Sequence, residues 1–91
     1  MLARTPDQRT AVRRYTRRAA TVSLDLNSLP VDCVIWDISE SGARLAIARP
    51  TADLPHNFVL NLYKDGLVKW NCEVIWMNAK YVGVKFTGLV L

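Results

Sequence analysis

Arg13, Arg14, Arg17 and Arg18 stand as two overlapping RxxxR pairs near the start of the chain, in the run Arg13-Arg14-Tyr15-Thr16-Arg17-Arg18. A guanidinium is planar and donates two parallel hydrogen bonds, to phosphate oxygens or to O6 and N7 of guanine, and its face stacks on a purine. About twenty residues on comes Asp37-Ile38-Ser39-Glu40-Ser41-Gly42, a DxSxxG segment. Its carboxylate can accept the paired N1–H and N2–H donors of a guanine edge, its Ser39 hydroxyl can donate to phosphate, and Gly42 lets a backbone approach closely. Together the two segments can close on one anionic purine ligand.

Each motif alone has a plainer reading. A basic segment can be a solvated tail or a loose binder of nucleic acid. A lone DxSxxG can be a simple turn, with Asp37 and Ser39 bonding nearby amides and Gly42 in the left-handed region.

The elements that must position these residues are strands. From Thr21 onward the apolar period is two, as in half-buried strands. Val68, Trp70, Cys72, Val74 and Trp76 alternate against Lys69, Asn71 and Glu73; Val82, Val84 and Phe86 alternate against Tyr81, Gly83 and Lys85. Phe58, Leu60 and Leu62 form a third set, and weaker strands are predicted over about 21–26, 31–37 and 43–48. Asp37 closes one apolar run and Gly42 opens the next, so DxSxxG is the corner between two strands. Asp65-Gly66 reads as a hairpin turn. Six short strands with tight links predict a small antiparallel barrel, which leaves no long open edge. Trp70 and Trp76 are expected in its core. Trp36, beside the corner, suits either the core or stacking on a ligand, and Tyr63 and Tyr81 point outward, where they suit a protein contact.

Composition narrows the function classes. The chain has 91 residues, 51% hydrophobic and 22% charged, which is room for one domain with one modest core. The division expected is a flexible segment over 1–12 followed by a single barrel domain over 13–91 that includes the arginine arm. No apolar run approaches the roughly 18 residues of a membrane span, and MLARTPDQRT has no apolar leader core, so a cytoplasmic location is expected. The net charge of +4 is lopsided. Residues 1–20 hold six arginines against Asp7 alone, while the rest holds six basic and seven acidic side chains, so the positive charge belongs to the N-terminal arm. Such an arm seeks phosphate, nucleic acid, an anionic surface or an acidic partner. His56 is the sole histidine, Cys33 and Cys72 lie outside any metal-ligand spacing, and no paired carboxylates or phosphate loop occur. No metal, no cofactor and no enzymatic activity are expected, and the cysteines read as buried free thiols.

In combination, RxxxR from Arg13 to Arg17, DxSxxG at Asp37, Ser39 and Gly42, and the late CEVIW (Cys72 to Trp76) and YVGVKF (Tyr81 to Phe86) resemble the PilZ domain family over roughly residues 12–87. The resemblance implies a six-stranded antiparallel β-barrel that acts as a receptor for the bacterial second messenger cyclic di-GMP. It implies that Arg13 and Arg17 grip guanine bases and phosphates and that Asp37 and Ser39 complete the pocket. Tyr15 stands where family members often carry a ring before the second arginine, which favours Arg13 and Arg17 over the alternative register Arg14 and Arg18. The ligand-binding set expected is thus Arg13, Arg14, Arg17, Arg18, Asp37, Ser39 and Gly42.

Many family members also carry a C-terminal helix that this sequence lacks, so an uncovered apolar barrel face, and with it a homodimer or another protein partner, is expected. Two functions follow from the resemblance. One is a stand-alone cyclic di-GMP receptor that orders its arginine arm on binding and signals in trans to a partner. The other is an adaptor of the same fold that works through protein contacts without nucleotide. Binding of RNA or single-stranded DNA is a third, disfavoured by the near-neutral body.

Overall fold

The computed structural model describes residues 14–25, 27–62 and 68–90. They form six strands: β1 Arg14–Ser23, β2 Val31–Ile38, β3 Gly42–Ile47, β4 Asn57–Asn61, β5 Lys69–Met77 and β6 Val82–Leu89. Every pairing is antiparallel, and the order β1-β2-β3-β6-β5-β4 closes on itself through β1 and β4. The expected six-stranded barrel is present. A single 3-10 turn, Thr51–Asp53, interrupts the strands among the described residues.

Alternation explains the wall. In β2 the residues Val31, Cys33 and Ile35 are buried while Asp32 and Val34 face outward. Val22, Leu45, Leu60 and Val82 lose all their accessible surface, and Ile35 and Cys72 nearly all, forming a core of mostly medium-sized side chains. Such side chains suit a narrow barrel, whose interior admits little more than one layer. Trp70 packs against this core and stacks on Phe86, with ring centroids 5.1 Å apart.

β1 begins seven residues earlier than the hydrophobic alternation announces. Arg14, Arg17 and Arg18 belong to this strand and lie along β2, with Arg14 opposite Ile38 and Arg18 opposite Ile35. Arg13 lies outside the described residues, as do Tyr63 and the expected Asp65-Gly66 turn. The neck of that turn is described, Leu62 N–H donating to the Val68 carbonyl at 3.0 Å.

Four register breaks among the described residues account for the places where strict alternation fails. In β5 the pairing steps from Val74 opposite Val84 to Trp76 opposite Gly83, so Ile75 is an extra residue. An inserted residue turns everything after it to the other face. Trp76 therefore leaves the interior, is 43% exposed, and lays its indole over Gly83, where any side chain would collide with the ring. It is not the core residue expected. The other three breaks lie at Thr87, opposite the Asn71–Cys72 step, at Trp36 where β2 pairs with β3, and between Tyr15 and Arg18 where β1 pairs with β2.

Candidate cyclic dinucleotide site

The site begins with the break at Trp36. β2 pairs Ile35 with Leu45 and then Asp37 with Arg44, which leaves Trp36 unmatched on the β3 side. On the β1 side two residues, Thr16 and Arg17, oppose Trp36 alone. The bulge resets the alternation: Ile38, opposite Ala43, packs against the core, whereas Asp37 shares the side of its partner Arg44. Arg17 accommodates its own extra position with φ of 46°, the single positive φ outside glycine among the described residues. Bulges commonly re-aim a side chain at a functional site, and here the re-aimed side chains are a tryptophan and an arginine.

The result is a ladder of cations and rings. The Arg17 guanidinium lies 4.6 Å from the Trp36 ring centroid, and Trp36 meets Tyr81 edge to face at 5.6 Å. Arg44 lies over Tyr81 at 5.0 Å, and Lys80 approaches the same ring at 5.8 Å. Each such contact contributes about 0.5–2 kcal/mol, more where water is excluded. The arrangement holds positive charge beside flat apolar faces, which is what a phosphorylated purine needs on its two sides.

Asp37 is 1% exposed and its Oδ2 lies 2.8 Å from Arg44 Nε. The buried Nε–H is not aimed squarely at that oxygen, so the contact is a close ion pair before it is a hydrogen bond. A carboxylate so buried requires a cation, because desolvating an unpaired charge is costly.

The corner itself is braced from within. Ser39 N–H donates to the Gly42 carbonyl at 2.8 Å, and Ser39 Oγ accepts the Ser41 N–H at 3.3 Å and lies 3.1 Å from Ser41 Oγ. Phe86 N–H donates to the Ser41 carbonyl at 2.8 Å, which ties the corner to β6. Gly42 has no positive φ; its bare Cα is needed because a Cβ would strike the Val84 carbonyl oxygen. The glycine of DxSxxG thus admits the neighbouring strand.

Of the residues expected from sequence, Arg17, Asp37, Ser39 and Gly42 are brought to one end of the β1–β2–β3 wall, with the Arg14 backbone opposite Ile38 beside them. Arg18 is exposed on the same strand. Arg44 and Lys80 were not anticipated, and Tyr81 was read as a protein contact. The available signal for Arg44 was its place two residues after Gly42, at an outward position of β3. Two open clefts, of about 400 and 510 Å³, lie elsewhere and carry no cationic side chain, so neither suits an anionic ligand.

This geometry coincides with a match of residues 7–90, nearly the whole chain, to the model of the PilZ domain. The chain belongs to the PilZ domain family. That family is one of cyclic di-GMP receptors, whose domains are binding units. No curated relative matches this PilZ chain. No helix among the described residues is long and apolar enough to cross a membrane, and no group of three or more metal-ligating side chains occurs among them.

Proposed function

We propose that this PilZ domain is a cyclic di-GMP receptor that acts in the cytoplasm and signals in trans to a protein partner. The observation that carries the reading is the convergence of Arg17 over Trp36, Arg44 over Tyr81 and the Asp37–Ser39–Gly42 corner at one end of the barrel wall. Arg13, Arg14, Arg17 and Arg18 supply the cationic side of the clamp, and binding fixes the arginine segment against the corner. One arginine is not enough: a charge-assisted hydrogen bond contributes about 1.5–3 kcal/mol, so several are needed to offset the ordering of ligand and side chains.

Ligand-linked stabilisation tests this. At about 100 times its Kd a ligand that binds only the folded state adds about 2.7 kcal/mol. For a domain of this size that raises Tm by about 10 °C or more. Cyclic di-GMP is expected to give such a shift, and GMP at equal concentration none. Absence of any shift, together with salt-sensitive binding of oligonucleotides, would replace the receptor with a nucleic-acid binder.

One observation favours the adaptor as a second reading. Ile75, Trp76 and Met77 are 59%, 43% and 43% exposed, three consecutive exposed apolar residues at the end of β5. A partner that docks there in the absence of nucleotide, and does so equally well with all four arginines neutralised, would favour it.

A further inference from the structure

Trp36 is the place where two strands are irregular at once. β2 leaves it unmatched toward β3, and on the other side Thr16 and Arg17 together oppose it from β1. It continues the outward series of Asp32 and Val34, so its indole belongs to the outer wall, yet it is half-buried. The Arg17 guanidinium lies 4.6 Å from the ring centroid, and Tyr81 meets the ring at an interplanar angle of 77°. Arg17 reaches the indole from a backbone with φ of 46°, a conformation that costs a non-glycine residue free energy. Filling the interior does not call for that strain, because Arg17 is an exposed residue. The strain aims its guanidinium at the indole.

A solvated arginine spreads over many rotamers, and that freedom is lost when a ligand fixes it. A ring against one face of the guanidinium removes much of the freedom at folding instead, and indole holds a cation best of the aromatic side chains. The second face of the plane can still stack on a base while its N–H groups donate in the plane to an anion. Resting on the receptor reading, we infer that Trp36 is a positioning residue for the dinucleotide. It backs Arg17 by one face so that a guanine base stacks on the other, and the cation then lies between two rings. Trp36 itself stays off the nucleotide. It belongs to neither RxxxR nor DxSxxG, so neither motif announces it.

The test is calorimetric titration with cyclic di-GMP of the wild type, Trp36→Phe and Trp36→Leu, with circular dichroism and melting to establish that each barrel persists. Trp36→Leu keeps an apolar side chain but offers no ring, and it is expected to weaken binding about threefold to tenfold, the effect of leaving one long side chain to be ordered by the ligand. Trp36→Phe restores a ring and recovers most of that loss. Wild-type NMR supplies a readout that packing alone would not move. The δ-methylene protons of Arg17 are expected upfield of their ordinary position under the indole ring current, and to move further upfield when cyclic di-GMP saturates the protein and adds the second ring. Their return to the ordinary position on saturation would mean that Arg17 leaves Trp36 to reach the ligand, which overturns the inference. Unchanged or tighter binding by Trp36→Leu would overturn it too, and so would equal losses for the leucine and phenylalanine variants, which make Trp36 a packing residue only. A wild type that binds nothing removes the receptor reading as well, whereas the other adverse outcomes remove only the role of Trp36.

Discussion

Arg17 joins backbone strain to side-chain chemistry. A non-glycine residue in the left-handed region costs about 1 kcal/mol or more, and such strain clusters where a side chain must be aimed. Arg17→Gly is therefore expected to leave stability within about 1 kcal/mol of wild type, relief of strain offsetting the lost contact with Trp36. Affinity for cyclic di-GMP falls tenfold to a hundredfold at about the same time. Chemical denaturation and titration of the one variant check both halves, and a parallel loss of stability and binding would contradict the assignment.

The two cysteines behave alike. Both are buried free thiols, as expected, and desolvation pushes Cys33 and Cys72 up to about 12, with Asp32 and the other thiol adding to the effect at Cys33. Neither thiol should react with an aromatic disulfide reagent at pH 8 until the barrel unfolds. A raised thiol pKa stabilises the folded state fully below the ordinary value of 9.0 and loses that contribution as pH climbs from there toward about 12. Denaturation midpoints should fall across that alkaline window, and a flat profile would contradict the burial.

At the scale of elements, the strands were legible in the sequence and their irregularities were not. Val68 to Val74 alternate as expected, but the extra Ile75 sends Trp76 outside, and the extra Trp36 returns Ile38 to the core beside Ala43. A period of two carries no sign of an inserted residue, because a bulge is decided by what the neighbouring strands offer. The early start of β1 was hidden for a related reason: its first residues are polar and are held by pairing with β2. The corner residues were correctly located, since a turn motif is local, whereas the partnership of Asp37 with Arg44 depends on register across two strands.

The same register makes Gly42 a packing requirement. Gly42→Ala places a methyl group against the Val84 carbonyl, so the corner must separate from β6. The expected cost is about 1–3 kcal/mol, read as a lower denaturation midpoint. Binding weakens only as far as the corner shifts, so an affinity loss with full stability would instead point to direct ligand contact at Gly42.

Across the whole molecule, closure of the sheet turns these local features into one site. Pairing of β1 with β2 along its length and with β4 at Thr21–Ser23 closes the barrel, and the matched pairs on either side of the bulge, Tyr15 with Asp37 and Arg18 with Ile35, fix Arg17 relative to Trp36. The core is what holds that ladder in register. Leu45, with no accessible surface, sits in β3 one residue from Arg44. Its truncation to alanine is expected to cost about 2–5 kcal/mol. Sequence combination alone sufficed to place the chain in its family, since the motifs that define it also define the barrel's corner and late strands. The surrounding cationic ladder needed the fold, because its members come from β1, β2, β3 and the approach to β6.

The central claim is that this barrel wall receives cyclic di-GMP, and isothermal titration of the wild-type protein with that nucleotide addresses it most directly. Saturable heat with a defined stoichiometry is the predicted result. Absence of binding heat at two temperatures, with ligand raised to high micromolar concentration, would contradict it.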